Sequence, residues 1–277
     1  MIMTVTVWGS RGSIASAGPD TMRYGGNTAC LTVEDGSGVV IVLDAGTGLR
    51  RAGLALAGDG RVVHLLLTHL HMDHIQGLGF FRPLFEPGRE LHIWGPPSTT
   101  ENLRARLTRY LSPPLFPVRL RDLPSSVLLH DVPSGTWGIG AFDVTAATVV
   151  HPGPTVGYRL TAAEKTVAYL PDHEPALGGR LEDAAWTSGH DLAAGADLLI
   201  HDAQYTSDEY GQRVGWGHSA VEHAASLADL ADADRLVLFH HEPDHDDETI
   251  DRMVDEARSL RLRGDAVGAR EGMTFEL

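Results

Sequence analysis

Val62-Val63-His64-Leu65-Leu66-Leu67-Thr68-His69-Leu70-His71-Met72-Asp73-His74 joins an apolar run to a dense cluster of metal-ligand residue types. Val62–Leu67 has the length and character of a strand covered on both faces. Residues at the carboxyl end of such a strand emerge at a sheet edge, where α/β proteins usually build their sites. His69 and His71 are two apart, so an extended segment points them the same way. Asp73 and His74 follow where the chain should turn into a helix, and they face a second point nearby. Four donor-type residues packed this closely suit two neighbouring metal ions.

The flanking sequence supplies a scaffold for that edge. Met3–Trp8 alternates Val with Thr, a half-buried strand pattern. Ala29–Val33 and Val39–Leu43 are two more strands, joined by the turn Asp35-Gly36-Ser37-Gly38. Leu49–Ala57 is a short helix, Leu91–Trp94 a strand and Thr99–Leu111 a helix carrying Arg104, Arg106 and Arg109. Those arginines, with Arg119 and Arg121, read as a solvated face. Ser112–Pro133 is Pro-rich and weakly periodic, and reads as a long irregular loop. Phe142–Val150, Val156–Leu160 and Thr166–Leu170 follow as strands, and Leu181–Ala194 as a helix. Asp197–Ile200, Ala220–Leu230, Arg235–Phe239 and Glu248–Leu260 then alternate strand and helix. Strands first, then strand–helix alternation, twice over, predict a layered α/β/β/α fold, with residues 1–277 forming one domain.

Composition narrows the function classes. Of 277 residues, 43% are hydrophobic and 21% charged, which reads as a globular chain rather than a disordered one. A single cysteine, Cys30, excludes a disulfide framework and any Cys-based zinc cluster. The net charge of −15 argues against an extended nucleic-acid surface, because duplex binding needs Lys and Arg to neutralise phosphates. Fifteen histidines are a large stock of a common metal ligand. Met1–Trp8 has no basic region followed by a long apolar run, and no stretch is long and apolar enough to span a bilayer. A cytoplasmic location away from membranes is expected.

Thr68-His69-Leu70-His71-Met72-Asp73-His74 resembles the signature of the metallo-β-lactamase-fold hydrolases, and four further pieces occur in that superfamily's order. They are Val42-Leu43-Asp44-Ala45-Gly46, Val150-His151, Ala168-Tyr169-Leu170-Pro171-Asp172 and Leu238-Phe239-His240. The resemblance implies a four-layer αββα sandwich. It implies one metal held by His69, His71 and His151, and a second by Asp73, His74 and His240. Asp172 would bridge the two. His240 and His241 are adjacent, and His240 is preferred because it directly ends an apolar strand. Asp44 either orients a ligand histidine or caps a turn.

Two more strings narrow the branch. Leu198–Tyr205 and Gly217–Ala225 resemble two motifs of ribonuclease Z, the tRNA 3′-processing endonuclease. The resemblance makes His218 the general acid and Asp202 its partner, although Asp202 stands where that family has Glu. The long basic arm of bacterial tRNA-processing members has no counterpart in Pro171–Leu199. Gly9–Ser13 and Tyr24–Thr28 resemble instead the arm-less phosphodiesterases of the same fold. These likenesses imply a dinuclear phosphodiesterase acting on small phosphodiesters such as cyclic nucleotides. The nucleophile would be a metal-bridging hydroxide oriented by Asp73. The donors suit Zn²⁺, with Mn²⁺ or Fe²⁺ as alternatives. Arg11 is a candidate phosphate contact and Phe116 a candidate base-stacking residue. The competing readings are a thioester or lactone hydrolase, a tRNA 3′-processing endonuclease, and a non-catalytic metal-binding sensor. Relatives are commonly dimers, so a homodimer is expected by resemblance.

Overall fold

The computed structural model describes residues 2–277. The first half supplies β1 (Thr4–Gly9), β2 (Cys30–Glu34), β3 (Val39–Leu43), α1 (Leu49–Ala55), β4 (Val62–Leu66), α2 (Met72–Ile75), β5 (Glu90–Gly95), α3 (Leu103–Tyr110) and β6 (Ser126–Asp131). The second half supplies β7 (Gly135–Ile139), β8 (Phe142–Thr148), β9 (Val156–Ala162), β10 (Lys165–Leu170), α4 (His190–Ala193), β11 (Leu198–Asp202), α5 (Ser207–Tyr210), α6 (Val221–Leu230), β12 (Arg235–Phe239), α7 (Asp247–Leu260), β13 (Asp265–Gly268) and β14 (Thr274–Glu276). Two seven-stranded sheets result, ordered β14-β1-β2-β3-β4-β5-β6 and β13-β12-β11-β10-β9-β8-β7.

Side-chain alternation builds the layers. In β11, Leu198 and Ile200 face the other sheet, while Leu199 faces the helices. Val5, Val33, Ile41 and Leu43 of one sheet meet Tyr158, Tyr169, Val237 and Phe239 of the other. Outside the first sheet, Leu49 and Ala52 of α1 and Leu103 and Leu107 of α3 cover Val42, Val63 and Leu65. Outside the second, Val221, Ala224 and Ala228 of α6 and Ile250, Met253, Val254 and Ala257 of α7 cover Leu199 and Leu236. The spacing in α7 is that of one helix face, and Asp246 caps it by accepting the Thr249 N–H at 2.7 Å. The architecture is the expected α/β fold of four αββα layers. Among the described residues, no helix is long and apolar enough to cross a membrane.

β3 to β6 run parallel, as do β10 to β13. The carboxyl ends of β3, β4, β10, β11 and β12 therefore deliver Asp44, Thr68–His74, Asp172, Asp202 and His240 to the same end of the two sheets. Asp44 and His240 leave their strands at φ 58° and 61°. This left-handed conformation costs a non-glycine residue about 1–2 kcal/mol, and it tends to persist where function needs it.

Three expectations are corrected. The segment 112–133 is not all irregular, because it contains β6, whose Val127 and Leu129 pair with Leu91 and Ile93 of β5. Leu181–Ala194 is not one helix. It holds a single turn at Ala184–Trp186 and then α4, separated by Gly189 at φ 75°. Trp186 is 89% exposed, so that segment has no continuous apolar face to bury. Finally, Arg11 is no phosphate contact. It is fully buried, with Nε donating to the Gly25 carbonyl at 2.9 Å and Nη1 to those of Glu242 (2.9 Å) and His245 (2.7 Å). It ties the N-terminal loop to the segment after His240. Arg11→Ala leaves three carbonyls without their donor, one of them fully buried, and should destabilise the fold by on the order of 3 kcal/mol, read as a lower urea midpoint.

Candidate metal centre

The histidines converge on one point by way of their hydrogen bonds. His74 Nδ1 donates to Asp44 at 2.8 Å, His151 Nδ1 to the Gly217 carbonyl at 2.8 Å and His240 Nδ1 to Gln204 Oε1 at 2.9 Å. His69 Nδ1 lies 3.1 Å from Thr68 Oγ1, which itself donates to Asp44. With Nδ1 protonated, each ring presents the bare lone pair of Nε2 to the centre.

Those lone pairs face one another. His74 Nε2 is 3.3 Å from His240 Nε2, 3.3 Å from Asp73 Oδ2 and 2.9 Å from Asp172 Oδ1. His151 Nε2 is 3.3 Å from His71 Nδ1. Asp172 Oδ2 stands 3.7 Å from His69, 3.8 Å from His151 and 3.4 Å from His240. His69 Nε2 and Asp172 Oδ1 are buried without a hydrogen-bond partner. Buried acceptors crowded together repel unless a cation lies among them. Two ligand groups hold these seven donors, His69, His71 and His151, and Asp73, His74, Asp172 and His240, and His218 lies within reach of His151 with Asp172 and of Asp202 with His240. Imidazole and carboxylate in these numbers fit a divalent cation such as Zn²⁺.

The charge balance agrees. Burial disfavours charge on His74, yet Asp172, Asp73 and Asp44 outweigh it and raise its pKa well above the usual value. Burial likewise opposes ionisation of Asp172, but the imidazoles of His240, His74 and His69 hold its carboxyl well below the usual range. The pocket attracts positive charge, a proton if nothing larger.

All seven residues that the sequence assigned to metals meet here. His241 does not: its Nε2 donates to the Ala269 carbonyl at 2.8 Å, and burial pushes its pKa down to about 3. Asp44 does more than cap a turn. Its carboxylate also accepts from the Thr68 N–H (2.8 Å) and the Tyr169 hydroxyl (2.9 Å). Phe116 packs against Phe80 and Tyr110 rather than standing free to stack. Glycine makes room at two contacts. A Cβ at Gly12 would stand 2.3 Å from His240 Nδ1, and one at Gly217 2.4 Å from His151 Nδ1.

His218 stands beside the centre, its ring stacked on His240 at 4.8 Å and 14°. Its Nδ1 lies 2.7 Å from Asp202 Oδ2, so the shorter acid reaches it directly. Burial works against charge on His218, but Asp202, with Asp172 and Asp73 behind it, raises its pKa to about 9. Asp202 is itself fixed by the backbone N–H groups of Gln204 (2.9 Å) and Ser219 (3.1 Å).

Several supporting residues escaped the sequence reading. Ser13 N–H donates to Asp73 Oδ2 at 2.8 Å. Glu174, fully buried, accepts from Tyr210 OH and from the N–H groups of Gly215 and Gly217, which holds the loop that anchors His151. His173 bonds His201 at 2.9 Å; His201, which the sequence did offer as a supporting residue, donates to the Asp202 carbonyl at 2.7 Å. The only available signal was the polar run Asp172-His173-Glu174 after an apolar strand.

Two outcomes follow from this arrangement. Asp44→Asn should weaken metal affinity about 10–100-fold, measured by competition with a chromogenic chelator. Burial lowers the pKa of His64 and His201 to about 4 each, so the unfolded chain binds their protons more readily than the folded one. Their stabilising contribution is complete above pH 6.5 and is lost as pH falls towards 4. Urea midpoints should drop across that window.

Comparison with known proteins agrees with the geometry. The family model for the beta-lactamase superfamily domain matches residues 40–241. Ribonuclease Z of Mycobacterium sp. (strain KMS) is 32% identical over 242 residues, covering 81% of this chain and 80% of its own. The metallo-beta-lactamase fold protein YhfI from Bacillus subtilis superposes with a TM-score of 0.74 at 21% identity, over 100% of this chain and 99% of its own. A diphosphatase of the PhnP family superposes with a TM-score of 0.71 at 20% identity, over 100% and 98%. The chain belongs to the beta-lactamase superfamily and is a metal-dependent hydrolase of the metallo-β-lactamase fold.

Proposed function

We propose that the protein is a phosphodiesterase that holds two divalent cations, one at His69, His71 and His151 and one at Asp73, His74 and His240. The observation that carries this reading is the Asp172 carboxylate, set between the two donor groups with one oxygen towards His74 and the other towards His69, His151 and His240. When bound, the cations supply positive charge against phosphoryl oxygens and lower the pKa of water at the site.

The chain's own residues supply the rest. Asp73, held by the Ser13 N–H, orients the attacking water through its carboxylate. Asp202 fixes Nδ1 of His218 and stabilises the imidazolium, leaving Nε2 to carry the transferable proton. As the water oxygen bonds to phosphorus, the ester bond to the leaving group breaks. His218 Nε2 then gives its proton to the departing alkoxide. The thiolate of a thioester leaves with little help from an acid, which favours phosphodiesters over thioesters. The charge of −15 favours small diesters, cyclic nucleotides among them, over long nucleic acids. A second reading, cleavage of an RNA diester, is favoured by the similarity to ribonuclease Z and uses the same centre.

His69→Ala and Asp73→Ala should abolish metal-dependent hydrolysis of bis-p-nitrophenyl phosphate while the circular dichroism spectrum stays native. Unchanged turnover in either variant overturns the reading. His218→Ala should cost about 10²–10⁴ in rate with alkoxide leaving groups and far less with nitrophenolate. An equal loss on both refutes its role as the acid. A panel of 3′,5′- and 2′,3′-cyclic nucleotides, 3′-extended tRNA, thioesters and lactones ranks the substrate classes.

A further inference from the structure

A cavity of about 500 Å³ opens against His69 and His71, within the range of small-ligand sites. Its walls differ in kind from the donor cluster beside it. Pro152, Gly153 and Pro154, directly after His151, form one side, while Ser98, Thr100, Arg106 and Arg109 belong to β5's exit and α3. The α3 arginines, which read as a solvated face in the sequence, thus border the centre.

Arg106 is the anchored member. Its side chain is only 12% exposed. Nη2 donates to the Pro96 carbonyl at 2.6 Å, which fixes the guanidinium plane. Its nearest carboxylate, Asp131, is 3.7 Å away and solvent-exposed, and its buried Nε has no partner. Glu101 also lines the cavity, but its carboxylate pairs with Arg109 at 2.7 Å, so Arg106 is held rigidly with no direct carboxylate partner closer than Asp131. Arg109 is exposed and pairs with Glu101 at 2.7 Å, so it contributes less. Nη1, the guanidinium nitrogen that these contacts leave over, together with the nearby hydroxyls offers charge-assisted hydrogen bonds to the oxygens of a phosphate. His218 does not line this cavity. The substituent entering it is therefore the one that stays on phosphorus, not the one that leaves.

We propose that Arg106, with Ser98 and Thr100, binds a second phosphate on the retained side of the substrate. The preferred substrates are then phosphodiesters bearing a further phosphate rather than isolated diesters. This rests on the phosphodiesterase reading. A terminal phosphomonoester and the next phosphate of an oligonucleotide share the required chemistry.

The test uses the p-nitrophenyl ester of thymidine 5′-phosphate, with and without a 3′-phosphate, on the metal-loaded enzyme. The 3′-phosphate should raise kcat/KM about ten- to a hundredfold, and Arg106→Gln should erase that ratio. Arg106→Lys should restore part of it, which a merely structural arginine would not do. A third substrate, in which a 3′-linked nucleotide converts the added phosphate to a diester, separates the sources. A retained preference points to a strand, a lost one to a terminal phosphate. Independently of turnover, calorimetry should show thymidine 3′,5′-bisphosphate binding more tightly than thymidine 5′-phosphate, by a margin that Arg106→Gln removes. If both esters are cleaved equally and both nucleotides bind alike, the second-phosphate site is refuted while the phosphodiesterase reading stands. If neither ester is cleaved but bisphosphate binding still depends on Arg106, the pocket is upheld and the phosphodiesterase reading fails.

Discussion

The buried carboxylate of Asp44 is the constraint on which the centre depends. It stands at the exit of β3, in a left-handed backbone conformation, with no solvent exposure. It accepts from the backbone and hydroxyl of Thr68 after β4, from Nδ1 of His74 in α2 and from the hydroxyl of Tyr169 in β10. One anion thus joins both sheets and sets the tautomer of a ligand histidine. An uncompensated buried charge would be costly, and four donors offset that cost. The same bonds leave the Nε2 lone pair of His74 facing Asp172 and His240.

Electrostatically, the molecule is divided. The chain carries −15 overall, yet its centre gathers five imidazoles and two carboxylates where two divalent cations would add four positive charges. On the proposed reading, the net negative charge disfavours long polyanions. A concentrated positive point, with Arg106 at its side, attracts a small one.

The centre was more legible in the sequence than its scaffold. His69, His71, Asp73 and His74 sit within a few residues of one another and stand out by local pattern, whereas His151, Asp172 and His240 were legible only through the resemblance to the superfamily's order of motifs. β7, β13 and β14 went unseen because they are edge strands, short or rich in Gly and Thr, with no long apolar run. β6 was masked by the prolines around it. Arg11 was misread because its partners are backbone carbonyls at residues 25, 242 and 245, which no side-chain pattern records. Glu174 and Gln204 act only through tertiary contacts. Arg106 looked like surface because α3 shows a charged face in isolation, and only the fold brings that face beside His69.

The chain's two ends meet in one sheet, where β1 pairs with β14, and the last ligand histidine comes at position 240. During synthesis, then, β1 waits without its outer neighbour until Thr274–Glu276 have been made. Contacts so distant along the chain close late and slowly. The early donors His69 to His74 emerge long before Asp172 and His240 can complete the set. The full donor set can form only after residue 240 has been made.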